Sequence, residues 1–205
     1  MLISGGISCI REMEMKSLDE IKEILSQTLS PSRYRHTLGT ADMAVRYAKL
    51  LGADPERAYL AGIIHDCVKN YSNEELLKAA RRYGIPIDEV SQKNAHLLHG
   101  AVGAAHAKEV FGVTDGEILS AVSCHTTGKP NMTKLEKILF LADLTEENRE
   151  YEFVTEIRET AFLDFDKALI MAYDSTIQFV LRQEGLLHPD TVYARNDLIL
   201  SREIT

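Results

Sequence analysis

Cysteine is scarce in this sequence: Cys9, Cys67 and Cys124 are the three present, an odd number with no CxxC or CxxxC spacing. That excludes a disulfide framework and a thiolate zinc module, and it points to a reducing, cytoplasmic setting. Long apolar runs are missing as well. The richest, Ile138 to Ala142, falls far short of the ~20 residues needed to cross a bilayer. The first sixteen residues, MLISGGISCIREMEMK, lack the early basic region, apolar core and small-residue cleavage site of a signal peptide. Positive charge is in deficit, with 23 Lys+Arg against 31 Asp+Glu and a net charge of −8. A protein that coats nucleic acid or an anionic membrane needs clustered positive charge, so both roles are disfavoured, although a local basic pocket is not. No run alternates strictly between apolar and polar residues, no internal repeat is visible, and no Ser/Gly/Pro-rich linker divides the chain.

What recurs is the punctuation of helices. Ser17-x-x-Glu20, Ser72-x-x-Glu75, Thr114-x-x-Glu117 and Thr133-x-x-Glu136 read as capping boxes, in which a hydroxyl and a carboxylate satisfy the free N–H groups of a first turn. Ser30-Pro31 and Asp54-Pro55 place proline at the first helical position, where its missing N–H costs nothing. Gly52, Gly84, Gly112, Gly128 and Gly185 follow apolar-periodic segments as stops. The spacing predicts helices over about 17–29, 31–51, 55–67, 73–83, 99–111, 115–125, 133–147 and 164–184, with a last one from about 190. Residues 144–163 are the least periodic stretch, expected as a loop with a short helix. The fold class is therefore all-α, as a single-domain helical bundle over 17–200, with 1–16 an N-terminal extension and 201–205 a tail. At 205 residues such a domain buries roughly 70% of its unfolded surface, so it needs no metal or disulfide staple. A metal found here would serve function.

Seven histidines are present, and a single one is more often a surface or hydrogen-bonded core residue than a ligand. Context separates them. His65-Asp66 ends a segment of Ala58, Leu60, Ala61, Ile63 and Ile64, where a carboxylate cannot be buried cheaply without a partner. Asp143 shares a helix side with Leu135, Leu139 and Ala142 and asks for a cation in the same way. His125 ends a helix just before Thr126-Thr127-Gly128, beside hydroxyl and backbone donors suited to phosphate. His36 and His99 stand next to Gly39 and Gly100, where a ligand or another chain segment could approach closely. Four histidines and two aspartates are too many for one open metal site. They suit two metals sharing a bridging carboxylate, and a donor set of nitrogen and oxygen accepts iron, manganese, zinc or magnesium.

His36, then His65-Asp66, then Asp143 follow the H…HD…D order of the HD-domain metal-dependent phosphohydrolase superfamily. The further motifs Tyr34-Arg35-His36-Thr37-Leu38, Leu97-Leu98-His99-Gly100, Cys124-His125-Thr126-Thr127-Gly128 and Phe140-Leu141-Ala142-Asp143, with the late His188-Pro189 and Ala194-Arg195-Asn196, resemble its YqeK family of bacterial symmetrical diadenosine tetraphosphate hydrolases over nearly the whole chain. The resemblance implies an all-α HD-domain fold and a di-iron hydrolase that splits diadenosine tetraphosphate into two ADP. It implies that His36, His65, Asp66 and Asp143 hold one iron and His99 and His125 the other, with Asp66 bridging.

On that basis a metal-bound hydroxide is expected to attack a β-phosphorus in line, with Asp66 and Lys69 the catalytic side chains. Lys69, Thr126, Thr127 and Gly128 are candidates for phosphate, Arg33, Arg149 and Arg195 for polyphosphate or base, and His188 for the nucleoside. His96 is expected to support a ligand or the framework rather than bind metal itself, and His106 to lie at a surface or interface position. Cys67 and Cys124 read as packing residues that make the site sensitive to oxidation. The expected partner is a small nucleotide, without nucleic acid or membrane, and a homodimer stays open. Two competing readings share the motifs: an HD phosphohydrolase for a mononucleotide, dNTP, alarmone or cyclic dinucleotide, and a metal-binding regulatory module without turnover.

Overall fold

Three of the expected capping boxes form in the computed structural model, which describes residues 14–203: Ser17, Ser72 and Thr133 each accept the N–H three residues on, and Glu20, Glu75 and Glu136 reach back. They open α1 (Leu18–Thr28), α4 (Asn73–Tyr83) and α8 (Lys134–Thr145). Ser30 and Asp54 cap α2 (Pro31–Leu51) and α3 (Pro55–Ile64), each with proline in the first turn. The fourth box is corrected. Asp115, not Thr114, caps α7 (Gly116–Cys124), because its carboxylate accepts from both Glu117 and Ile118 N–H. The segment 99–111 changes winding on the way, as α6 (His99–His106) followed by a π-type turn at Ala107–Phe111. A short α5 (Glu89–Lys93) and a 3₁₀ turn (Ala95–Leu98) precede it, both too brief to leave a period in the sequence. The aperiodic stretch holds one short helix, α9 (Val154–Ala161), and α10 (Phe165–Arg182) and α11 (Pro189–Glu203) complete the chain. Among the described residues there is no strand. The left-handed residue after α10 is Glu184, not Gly185.

Residues 1–13 and 204–205 lie outside the described residues, and most of the expected N-terminal extension with them. Of that extension, Lys16 N–H donates to Phe111 O at 2.9 Å. The expected tail begins inside α11.

One hydrophobic core joins the helices. α2 packs along α3 and α8, α7 lies against α6 and α8, and α10 contacts α8, α9 and α11. Ile63, Ile64, Ile138, Leu139 and Leu141 are buried at the centre, each contributing roughly 1.5–3 kcal/mol of transfer free energy. The α2–α3 approach is close enough that a Cβ on Gly62 would lie 2.5 Å from Ala41 Cα. The tyrosine tips in this core have partners: Tyr47 hydroxyl pairs with Thr145 Oγ1 at 2.8 Å, and Tyr173, stacked on Phe140 at 4.3 Å between centroids, points its hydroxyl to Met132 Sδ at 3.2 Å. Packing α2, α3, α6, α7 and α8 about one centre brings their histidines and aspartates together.

Candidate metal centre

α3 stops at Ile64 rather than at the expected residue 67, and this shortening builds the site. Bonds from Cys67 N to Ile64 O, Lys69 N to Asp66 O and Tyr71 N to Val68 O wind the chain in i→i+3 turns. In such winding residues three apart eclipse. Lys69 is thereby set beside Asp66, with Nζ 3.4 Å from Oδ1.

Four imidazoles converge on Asp66. His65 Nδ1–H donates to Gly62 O at 2.7 Å, His125 Nδ1–H to Val122 O at 2.7 Å, and His99 Nδ1–H to His96 O. A carbonyl can only accept, so in each neutral ring the proton is on Nδ1 and Nε2 carries a lone pair. His36 differs in using a carboxylate, Glu146 Oε1 at 3.2 Å, for the same purpose. The Nε2 lone pairs then face other acceptors: His36 Nε2 lies 3.3 Å from His65 Nε2 and 2.9 Å from Asp143 Oδ1, while His99 Nε2 lies 3.0 Å from His125 Nε2. Acceptors held this close repel unless a proton or cation sits among them. Asp66 divides between the two groups. Its Oδ2 lies 3.5 Å from His65 Nε2 and 3.8 Å from His36 Nε2, and its Oδ1 lies 3.2 Å from His99 Nε2 and 3.6 Å from His125 Nε2. That Oδ1 is fully buried yet accepts no well-formed hydrogen bond, a costly state for a carboxylate oxygen. Two groups, His36 with His65 and Asp143, and His65 with Asp66 and His125, bring their ligand atoms near enough to hold a metal ion. The donors fit divalent cations.

The electrostatics agree with an anionic, cation-binding centre. Burial pushes the Asp66 carboxyl upward, but the neighbouring imidazoles of His65, His125 and His99 outweigh it and hold the group well below the usual carboxylate range. Asp143 is held low in the same way, burial being overcome by His36, His65 and Arg149. Burial lowers His99 to about 4, so the ring is neutral at neutral pH, as a ligand must be. Three cations rim the site. Arg33 Nη1 donates to Asp66 Oδ2 at 2.8 Å, Arg149 Nη2 to Asp143 Oδ1 at 2.7 Å, and Lys69 Nζ lies 2.9 Å from His99 Nε2. All three are partly exposed, and this is the local basic pocket that a net charge of −8 leaves room for.

The other candidates are distributed around this centre. Thr126 Oγ1 is 3.5 Å from His99 Nε2, and Thr126 lines a small cavity over His99, His125 and Asp143. Thr127 bonds its hydroxyl to Gly128 O at 3.1 Å, and Gly128 takes a left-handed conformation against Tyr173. His188, just before α11, pairs with Asp88, the cap of α5, at 3.2 Å, and Arg195 of α11 pairs with Asp174 of α10. His96 is exposed and takes part through its carbonyl. His106, expected at a surface or interface position, is half-buried, with its ring edge-on to Tyr71 and Phe111. The expected oxidation sensitivity of Cys67 and Cys124 is not supported. Both are buried, and burial raises both thiols above their ordinary value, Cys124 to about 12, so the reactive thiolate is scarce.

Residue reasoning missed Glu146 and Arg158. Glu146 is buried and holds His36. It is aligned by Asn148, whose N–H and side-chain amide both donate to Oε2 at 2.8 Å. Arg158, from α9, donates to Thr145 O at 2.6 Å and Glu146 O at 2.9 Å, supplying the partners that the last carbonyls of α8 lack. The space beside Gly39, read as room for an approach, is filled by Glu146: a Cβ there would lie 2.3 Å from Oε2.

A helical bundle with H, HD and D at its centre defines a class, and the HD domain family profile matches residues 33–148: the chain belongs to the HD-domain family. Within it, the chain is similar to proteins named symmetrical bis(5'-nucleosyl)-tetraphosphatase, 36% identical to that of Halalkalibacterium halodurans over 88% of this chain and 96% of the relative. The Bacillus subtilis protein of the same name is 35% identical over 88% and 97%. A probable nicotinate-nucleotide adenylyltransferase/Ap4A hydrolase of Mycoplasma pneumoniae is 32% identical over 78% of this chain and 46% of its own length. Among solved structures, a predicted HD superfamily hydrolase described as involved in NAD metabolism, from Clostridium acetobutylicum, superposes with a TM-score of 0.89 at 42% identity, over 92% of this chain and all of that one. The all-α HD-domain fold expected from the resemblance is the fold found. Among the described residues no helix is long and apolar enough to cross a membrane.

Proposed function

We propose that this chain is a two-metal hydrolase that cleaves diadenosine tetraphosphate symmetrically, into two ADP. The observation that carries the metal reading is Asp66, whose two oxygens face separate imidazole groups and one of which is buried without a proper donor. The names of the relatives support the substrate. His36, His65, Asp66 and Asp143 would hold one ion and His99 and His125 the other, with Asp66 bridging. Iron is the metal the resemblance implies, and manganese, zinc and magnesium suit the same donors. When bound, two divalent cations neutralise charge on a phosphoryl group and make water a competent nucleophile near neutral pH.

The chain's own side chains do the rest. Arg33, Lys69 and Arg149 present guanidinium and ammonium donors on one rim, where they neutralise a polyphosphate and orient it. Thr126 adds a hydroxyl beside His99. The Nδ1–H bonds to Gly62, His96, Val122 and Glu146 keep every Nε2 aimed inward, the role that outer partners of ligating histidines serve. Thr127, Gly128, His188 and Arg195 have framework partners and are assigned no contact with the reacting groups.

The test is anaerobic purification with metal analysis, then product analysis on diadenosine tetraphosphate with Asp66→Ala alongside. Two metal equivalents and ADP as sole product, both lost in the variant, are expected. AMP plus ATP would overturn the site of cleavage. Retained metal without turnover would overturn the substrate and favour another nucleotide. Two relatives' names touch nicotinate nucleotide or NAD metabolism, so NAD⁺ and nicotinate dinucleotides belong in the assay as competitors.

A further inference from the structure

We infer that Phe153 and Phe179 form an aromatic clamp for one nucleobase of the substrate, in a cavity that adjoins the metal centre; this rests on the hydrolase reading above. The cavity measures about 350 Å³ and is bordered by Leu144, Arg149, Tyr151, Phe153, Thr176 and Phe179, within the size range of small-molecule sites. Its place is the first argument. Leu144 and Thr176 also line the small cavity over His99, His125 and Asp143, so the two spaces meet along one wall. Arg149 stands at the junction, lining the larger cavity while its Nη2 donates to Asp143 Oδ1 at 2.7 Å. A nucleotide whose phosphates meet Arg149 at the metal centre would carry its base into the larger space.

The second argument is the lining. Phe153 is 51% exposed and Phe179 64% exposed, although both are large apolar rings on a folded chain with a continuous core. Tyr151, lining the same cavity, is fixed by its hydroxyl, which donates to Leu144 O at 2.8 Å. Phe153 is also one of three non-glycine residues with positive φ among the described residues, at +67°. A bulky residue adopts that left-handed conformation at a cost, and such strain persists where the surrounding structure uses it, ligand clamps included. It sits at the start of α9, with no side-chain cap, so the position serves no helix-starting chemistry that an aromatic ring could supply. Every base presents a π-face, and stacking between two rings holds any of them without reading its edge.

The experiment uses the metal-loaded full chain. ADP and tripolyphosphate binding are measured by calorimetry, together with initial rates on diadenosine tetraphosphate, for wild type, Phe153→Gly, Phe179→Ala and the two Trp variants. Glycine suits a φ of +67°, so Phe153→Gly is expected to keep its melting temperature while losing the ring. ADP affinity is expected to fall about tenfold in Phe153→Gly and Phe179→Ala, with KM rising, kcat within about threefold, and tripolyphosphate binding unchanged; Trp should preserve all of these. Equal ADP binding in wild type and folded variants overturns the clamp, as does parallel loss of ADP and tripolyphosphate binding. Loss of self-association in sedimentation with ADP binding intact overturns it in favour of a second copy covering the rings. Phe-dependent ADP binding without hydrolysis keeps the clamp and removes the hydrolase reading, whereas hydrolysis with a Phe-independent KM does the reverse.

Discussion

A histidine held neutral by its surroundings makes a protein sensitive to mild acid. His106 lies edge-on to Tyr71 and Phe111, with ring centroids 6.2 and 5.6 Å away. Burial lowers its pKa below the ordinary 6.5, with Glu109 opposing and Arg82 reinforcing the shift. The unfolded chain takes up a proton near 6.5 that the folded ring resists, so this contribution to stability is complete above 6.5 and is lost as pH falls through the folded value. His106→Gln is expected to melt below the wild type at pH 8, with the gap narrowing toward pH 5. A constant gap would show that the ring is not held neutral. At the same scale, Glu146 illustrates why part of the site was hidden. Glu146 is three residues after Asp143 and reaches a histidine 110 positions earlier in the chain, and nothing local in Glu146-Glu147-Asn148 distinguishes it from a solvated acidic run.

Helix contacts set how accurately the ligands meet. α2 and α3 are in backbone contact at Gly62 and Ala41, where an added Cβ would lie 2.5 Å from Ala41 Cα. That obstacle is backbone, not a flexible tip, so Gly62→Val must part the helices. Overpacking of this kind costs about 1–3 kcal/mol, and it displaces the His65-Asp66 turn at the end of α3 from His36 on α2. A lower melting temperature together with loss of bound metal is expected. Gly116→Ala is the counterpart: its Cβ meets nothing within 4 Å at the start of α7, and a gain of about 0.4–1 kcal/mol with unchanged metal content is expected. If Gly62→Val kept full metal occupancy, close α2–α3 packing would not be what positions the cluster. Helix starts were readable because caps are local: Ser17, Ser72 and Thr133 all serve as expected. The end of α3 was not, since the i→i+3 winding of 65–71 depends on what Asp66 and Lys69 meet in the folded chain.

For the molecule as a whole, burying a cluster of acceptors couples metal binding to folding. A ligand present at a hundred times its Kd stabilises by about 2.7 kcal/mol, which in a domain of this size is a rise of about 5–10 °C. Chelated protein titrated with Mn²⁺ or anaerobic Fe²⁺ is expected to show that rise, and Asp66→Ala to lose most of it. An unchanged melting temperature in the wild type would mean that the buried acceptors are satisfied some other way. The same cluster reconciles the charge balance: the chain carries −8, yet Arg33, Lys69 and Arg149 are gathered at one rim.

Sequence by itself determined the helical class, most helix starts, and the six residues whose side chains converge, since caps, periodicity and short motifs are local properties of the chain. The convergence left its trace as polar ligands set in apolar surroundings, at His65-Asp66 and Asp143. Only the tertiary structure decided which oxygen of Asp66 faces which histidines, that Glu146 and three backbone carbonyls orient the rings, and that His188 and Arg195 are turned to Asp88 and Asp174. Those relations join residues far apart in the chain. Their geometry comes from how helices pack, and neither a cap nor a period encodes that distance.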